Sequence, residues 1–279
     1  MSAGSDLAIA RYRLRSASAV ARDPIARMAF FDAWAEPFAR TYASHPALRE
    51  RVALFAREAR AVVDAFEGSG PLRCLDLGCG PGMIAGELAE LGFEVVGVER
   101  SATMIRAARS LITRRGAARE RIRFVHADLT DFLASSRETF SLVVSSSVLE
   151  YLDDPIEVVR LVAARLRPGG TFAFSIPNRD SILRVVEPWI ERMRPAQPRC
   201  RSFWGNALRT ADYAAAALDL GLQFERVGTF GLPRLSIPAL ERVLRNRWFQ
   251  TMSLLIFRRP PEGAPARRTS GGHAPSTAR

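Results

Sequence analysis

Between Leu72 and Phe257 short apolar runs alternate with longer stretches in which apolar residues recur every three or four positions, and few folds accommodate that alternation. The short runs predict strands at 73–77, 94–99, 122–127, 140–145, 171–176, 223–230 and 250–257. The longer stretches predict helices at 83–91, 101–115 with Ser101 as N-cap, 155–166, 181–193 and 210–219 with Thr210 as N-cap. Strands interleaved with helices make βαβ units, and these imply an α/β fold with a parallel sheet carrying helices on both faces. Ahead of this region, residues 24–67 form a helical cap, broken at His45-Pro46, in which Phe31, Trp34, Phe38 and Tyr42 share one face. The turn cluster from Glu67 to Gly70 closes it. The expected domain organisation is thus 1–23 a flexible basic N-terminus, 24–67 the cap, 68–257 the sheet domain and 258–279 a disordered basic tail.

The first strand runs into Gly78-Cys79-Gly80-Pro81-Gly82, and a helix follows. A glycine loop between strand and helix brings backbone N–H groups close to a nucleotide-like ligand at the C-terminal edge of a sheet. The dinucleotide fingerprint requires a third glycine where Met83 stands, and Asp76, just before the loop, would repel a pyrophosphate. An acid there suits a ligand bearing an ammonium and no phosphate, and S-adenosylmethionine has that chemistry. The second strand ends at Glu99, placed to accept both ribose hydroxyls. The third ends at Asp128, which could accept the adenine amino group while Leu129 donates its backbone N–H to a ring nitrogen. An Asp after a strand also serves as a helix cap, so no one of these acids decides the matter; three at successive strand tips describe one site.

With LDLGCGPG (75–82), VVGVE (95–99), HAD (126–128), SLVVSSSVLEYLDDP (141–155), LRPGG (166–170) and FSIPN (174–178), the chain resembles the class I S-adenosylmethionine-dependent methyltransferases over about 70–257. The resemblance is to the small-molecule branch that includes the ubiquinone-type O-methyltransferases. It implies a Rossmann-like seven-stranded sheet in the order 3-2-1-4-5-7-6 with the last strand antiparallel. It also implies that Asp76, Gly78, Gly80 and Gly82 hold the methionine end of the cofactor, Glu99 the ribose, and Asp128 with Leu129 the adenine. Ser145 falls where the family touches the cofactor backbone. Tyr151 stands where the family often has His.

Methyl transfer is an in-line displacement, so alignment and desolvation carry most of the catalysis, and a base is needed only where the acceptor must lose a proton. The candidates for that role are His45, in the cap, and Tyr151, beside Glu150; His126 reads as a strand residue and His273 lies in the tail. Phe30, Phe31, Trp34, Phe38 and Tyr42, with Trp189, Phe203 and Trp204, either line an apolar acceptor pocket or pack a helical cap. No cluster of Asp, Asn and Glu predicts a metal.

Composition removes other classes. All 40 basic residues are Arg, which excludes Schiff-base and pyridoxal phosphate catalysis and a P-loop lysine. The net charge of +11 invites a nucleic-acid reading, yet residues 1–27 carry five Arg against two acids and 258–279 five against one, leaving 30 Arg against 26 acids between them. The excess lies mostly at the ends, so no specific nucleic-acid partner is expected. Three cysteines without a CxxC pair predict neither disulfides nor zinc. No apolar run reaches the ~18 residues of a membrane span, and the Arg-, Ser- and Ala-rich start contains Asp6 and Asp23, so the expected location is cytoplasmic. The expectation is therefore methyl transfer from S-adenosylmethionine to a small-molecule hydroxyl. N- or C-methylation, an RNA methyltransferase and a cofactor-binding protein without turnover stand as alternatives.

Overall fold

The structure, a computed structural model, describes residues 24–68, 70–114, 116–184, 189, 203–231, 246 and 248–263. The chain order is α1 (Pro24–Ser44), α2 (Pro46–Asp64), β1 (Arg73–Leu77), α3 (Met83–Glu90), β2 (Glu94–Glu99), α4 (Ala102–Thr113), β3 (Ile122–His126) and α5 (Leu129–Ser135). There follow β4 (Phe140–Ser146), α6 (Pro155–Arg165), β5 (Leu166–Pro177), α7 (Thr210–Asp219), β6 (Gln223–Phe230) and β7 (Met252–Arg258). All seven strands form one sheet in the order β3-β2-β1-β4-β5-β7-β6, parallel except for β7, which runs antiparallel to both neighbours.

The sheet separates two apolar layers. Leu75, Leu77, Val96, Val143, Phe172 and Phe174 face α5, α6 and α7, whose Leu133, Val158, Val159, Val162 and Tyr213 close that side. Cys74, Val95, Leu142, Val144 and Ala173 face Ile84, Ala85 and Leu88 of α3 together with Phe55 and Ala59 of α2. A fully buried Phe or Leu contributes about 1.5–3 kcal/mol, so Phe55 ties α2 into the core beneath the sheet. The turn near residue 67 therefore joins two parts of one core. Helix α1 packs along α4 and, with part of α2, borders the cavity at the C-terminal edge.

Three local readings differ from expectation. Helix α5 is absent from the sequence expectation, because seven residues are too few for a periodic signal, yet Asp128 caps it by accepting from Thr130 N–H at 2.8 Å. The N-cap of α7 is Arg209 rather than Thr210, with Asp212 accepting the Arg209 backbone N–H at 2.7 Å. Residues 258–259 belong to the sheet and not to a tail: Arg259 donates its N–H to the Gly170 carbonyl and its guanidinium to that of Leu166 at 2.6 Å. Most of the expected helix at 181–193, the first 23 residues and 264–279 lie outside the described residues. No described helix is long and apolar enough to cross a membrane.

Candidate cofactor and acceptor site

Parallel strands place their C-terminal ends on one edge, and the crossover between β1 and β4, where the chain runs off in opposite directions, opens a crevice there. The crevice is a cavity of about 760 Å³. This lies in the upper part of the ~300–1,000 Å³ typical of small-molecule sites. Its β1–β3 side is lined by Asp76, Gly78, Cys79, Gly80, Glu99, Asp128 and Leu129, and its other side by α1, α2 and the segments following β4 and β5.

Glycine is required in the loop by geometry. Gly78 has φ +67°, and a Cβ there would fall 2.4 Å from Val148; Gly82 has φ +80°, with Ala108 at 3.0 Å. Gly80, at φ +50°, has no heavy atom within 4 Å of its missing Cβ, so what it leaves open is cavity. Gly80→Val is accordingly expected to retain the fold, at a strain cost of about 1–3 kcal/mol, and to lose cofactor binding, because the branched side chain enters the ligand's space. Calorimetry showing wild-type affinity in a folded variant would place the cofactor elsewhere.

Two carboxylates organise the loop. Asp76 is 1% exposed and its Oδ2 has no hydrogen-bond partner. Burial, and then the charge of Glu99, push its carboxyl up to about 7, partly offset by the Ala85 N–H. Glu99 accepts the Gly80 N–H at 3.1 Å and the Ser101 N–H at 2.9 Å, so it ties the glycine loop to the start of α4. Burial raises its carboxyl as well, against those same N–H groups. Each carboxylate oxygen retains a lone pair for a further donor. Asp128 Oδ1 is occupied in capping α5, and Oδ2 lies 3.9 Å from Arg100. An unpartnered buried carboxylate oxygen, a second carboxylate at the next strand tip and a vacant space over Gly80 fit the ammonium, the ribose and the amino-acid chain of S-adenosylmethionine. Burial, Asp76 and Glu99 push the Cys79 thiol well up, which disfavours its thiolate.

Not every expected residue reaches the cavity. Ser145 is fully buried and donates to the Leu77 carbonyl at 3.3 Å, because β4 continues one residue further; Ser146 and Ser147 line the cavity in its place. Ser147 has φ 56°, and both hydroxyls are buried without a partner. Gly82 supports the loop from behind, against Ala108 and Phe124. His45 is exposed at the N-cap of α2 and is no part of the lining, so the geometry gives it no access to an acceptor there. His126 is exposed, with Nε2 2.9 Å from the Arg100 carbonyl. Tyr151 does line the cavity and meets Phe31 edge to face at 5.1 Å.

Of the aromatic residues, Phe30, Phe31, Trp34, Phe38, Tyr42 and Trp204 line the second half of the cavity. Phe203 stacks behind Phe30 at 4.3 Å, and Trp189 is exposed. The same half contains Glu150, which the sequence places near the site, and Arg51, which local sequence patterns do not single out. Glu150 is 3% exposed, its Oε2 lacks a partner, and burial pushes its carboxyl up to about 7 against the pull of Arg51, Arg179 and Arg184. Arg51 comes from α2, 99 positions earlier, and its guanidinium lies over Phe230 at 5.8 Å. Only the fold brings these together.

A methyltransferase-domain family profile matches residues 40–225, more than half of the chain. A ubiquinone biosynthesis O-methyltransferase of Chelativorans sp. (strain BNC1) is 35% identical over 63% of this chain and 67% of its own length. One from Aromatoleum aromaticum is 31% identical over 42% and 49%. The chain thus spans about half to two thirds of the length of the curated relatives it matches. Among solved structures, magnesium protoporphyrin IX methyltransferase from Synechocystis PCC 6803 with bound SAH has a TM-score of 0.63 at 18% identity, covering 84% of this chain and 98% of that one. At such identity the structural likeness speaks for the fold, which is the one the strand order describes. Since the matched region contains the glycine loop and both of its acids, the chain belongs to the class I S-adenosylmethionine-dependent methyltransferases.

Proposed function

We propose that the protein transfers the methyl group of S-adenosylmethionine to a hydroxyl of a small, largely apolar acceptor. The observation that carries this reading is that one cavity joins an acid-lined half suited to the cofactor with an aromatic half containing a buried carboxylate. The cofactor supplies a carbon activated by sulfonium, and the protein's part is to hold the two reactants in line in a dry space. Asp76 pairs with the ammonium, Glu99 accepts from the ribose, and Asp128 with the Leu129 N–H meets the adenine. Ser146 and Ser147 replace Ser145 in the assignment. The aromatic side chains of α1 exclude water and hold an apolar body by contact and edge-to-face packing. The names of the O-methyltransferase relatives favour oxygen as the acceptor atom.

S-adenosylhomocysteine is expected to raise the melting temperature by several degrees at a hundredfold excess over its Kd, where mass action supplies about 2.7 kcal/mol; NADH should give no shift. Turnover is then read by mass spectrometry on a panel of phenols, amines and thiols. Methylation confined to amines or thiols would overturn the hydroxyl assignment, and a shift with NADH alone would overturn the cofactor.

A further inference from the structure

The acceptor half of the cavity contains an acid and a base, Glu150 and Arg51, each with one buried side-chain atom that has no hydrogen-bond partner. Glu150, just after β4, is nine-tenths buried with Oε2 unpartnered. Arg51 on α2 has a buried Nε without a hydrogen-bond partner among the described residues. Both line the cavity and each lies within the electrostatic reach of the other, yet no hydrogen bond joins them. Leaving buried polar atoms without a hydrogen-bond partner is costly, so such an arrangement is expected where a ligand completes it. The other arginines of this half are engaged: Arg184 donates to the carbonyls of Asn178 and Thr251 and lies over Trp204, and Arg27 donates to the Tyr151 carbonyl and reaches Asp153. They build the wall.

We propose that the acceptor is an aromatic hydroxy acid whose anionic group sits on Arg51 and whose hydroxyl faces Glu150, the group that takes its proton. This rests on the methyltransferase reading above and specifies its substrate class. Arg51 is suited to an anion because its planar fork offers a bidentate contact, while Phe230 beneath it fixes the plane. Phe31, Trp34 and Tyr151 line the same cavity and offer faces and edges to an aromatic body. In the transfer the hydroxyl oxygen forms a bond to the methyl carbon, the carbon–sulfur bond breaks with its electron pair left on sulfur, and the hydroxyl proton passes to the ionised Glu150. The charged and titratable groups facing Glu150 are Arg51 from α2, Arg179 and Arg184 after β5, and Tyr213 from α7. The Tyr213 hydroxyl is itself pushed well up by burial and by Glu150, so it stays protonated through the working range.

The test uses the full chain loaded with S-adenosylhomocysteine and matched ligand pairs, caffeate against methylcatechol and hydroxynaphthoate against naphthol, measured by calorimetry. The acid of each pair is expected to bind about tenfold or more tightly than its neutral partner. Arg51→Gln should erase that difference with cofactor affinity unchanged, and Arg51→Lys should restore part of it. In turnover, Arg51→Gln raises KM for the acids, and because Arg51 also holds the Glu150 carboxyl down, the acidic limb of the kcat profile should move to higher pH. Glu150→Gln keeps acid binding, lowers kcat by about 10²–10⁴-fold and removes the acidic limb of the kcat profile. Neutral phenols binding as tightly as the acids, or acids binding unchanged to Arg51→Gln, would overturn the anion seat. Unchanged kcat and pH profile in Glu150→Gln would overturn the proton acceptor. If the wild type failed to bind S-adenosylhomocysteine, both this proposal and the reading beneath it would fall.

Discussion

Asp76→Asn is expected to lower cofactor affinity by about a hundredfold or more while making the ligand-free protein more stable above neutral pH. The two effects share one cause. The carboxyl is buried with one oxygen unpartnered, and its pKa rises from an ordinary 3.8 to about 7. A folded state that holds the proton more tightly than the unfolded one is favoured at low pH and loses that advantage as pH rises, from the unfolded value up to the folded one. About three units correspond to roughly 4 kcal/mol of stability lost by pH 8 relative to pH 4. Asn removes this loss but buries an amide NH₂ whose own partner is missing, at about 1–3 kcal/mol. A net gain of a few degrees in melting temperature is expected at pH 8 and none at pH 5, where Asp76 is already neutral. Binding behaves oppositely, since an ammonium pairs with the ionised form: affinity for the cofactor should fall about tenfold per unit as pH drops below about 7, and this dependence should vanish in the Asn variant. Melting curves and calorimetry at the two pH values check it. Wild-type affinity in the variant would remove Asp76 from the site.

The parts of this arrangement legible in the sequence are those set by short-range rules. Strand tips follow from where apolar runs stop, and Asp76, Glu99 and Asp128 stand at or beside such stops, so their convergence follows once the strands are parallel and adjacent. Ser145 stands one residue before the end of β4, and in an extended chain one residue reverses the face of the side chain, so Ser146 and not Ser145 lines the cavity. The ambiguity noted for Asp128 turns out to be no choice at all, because one oxygen caps α5 while the carboxylate remains at the cavity wall. Glu150 is legible in the sequence as a residue near the site beside Tyr151, but not as a buried one. Around it, Gly205 donates to its carbonyl and Tyr213 of α7 lies within its electrostatic reach, both from later in the chain. Arg51 gave no signal, since a lone arginine on an amphipathic helix is ordinarily solvated, and only the docking of α2 against the sheet turns it inward.

Glu99→Ala should weaken cofactor binding by about 30- to 1,000-fold, the equivalent of about 2–4 kcal/mol for two charge-assisted bonds to the ribose hydroxyls. The sequence suggests a strand-tip carboxylate with no part in folding; the structure gives it one. Its two oxygens receive the N–H groups of Gly80 and Ser101, so the side chain holds the glycine loop against α4 before any ligand arrives. Ser101 in turn caps α4 through Met104 N–H at 3.1 Å. Removing the carboxylate leaves two backbone donors at the cavity wall to be satisfied by water, at a cost of about 1–3 kcal/mol in stability, and loosens the loop that Gly78 and Gly82 shape. Glu99→Gln keeps one accepting oxygen but turns an NH₂ toward the other N–H, so it should lie between wild type and Ala in both melting temperature and affinity. Loss of the ribose contact and loss of loop order are separated by the 2′-deoxyribose analogue of the cofactor. If Glu99 binds the hydroxyls directly, wild type prefers the natural cofactor over the analogue and both variants lose that preference. If it only shapes the loop, affinity for the two ligands falls in parallel and the preference survives, which would move the ribose off Glu99 while leaving its role as the tie between β2, the glycine loop and α4.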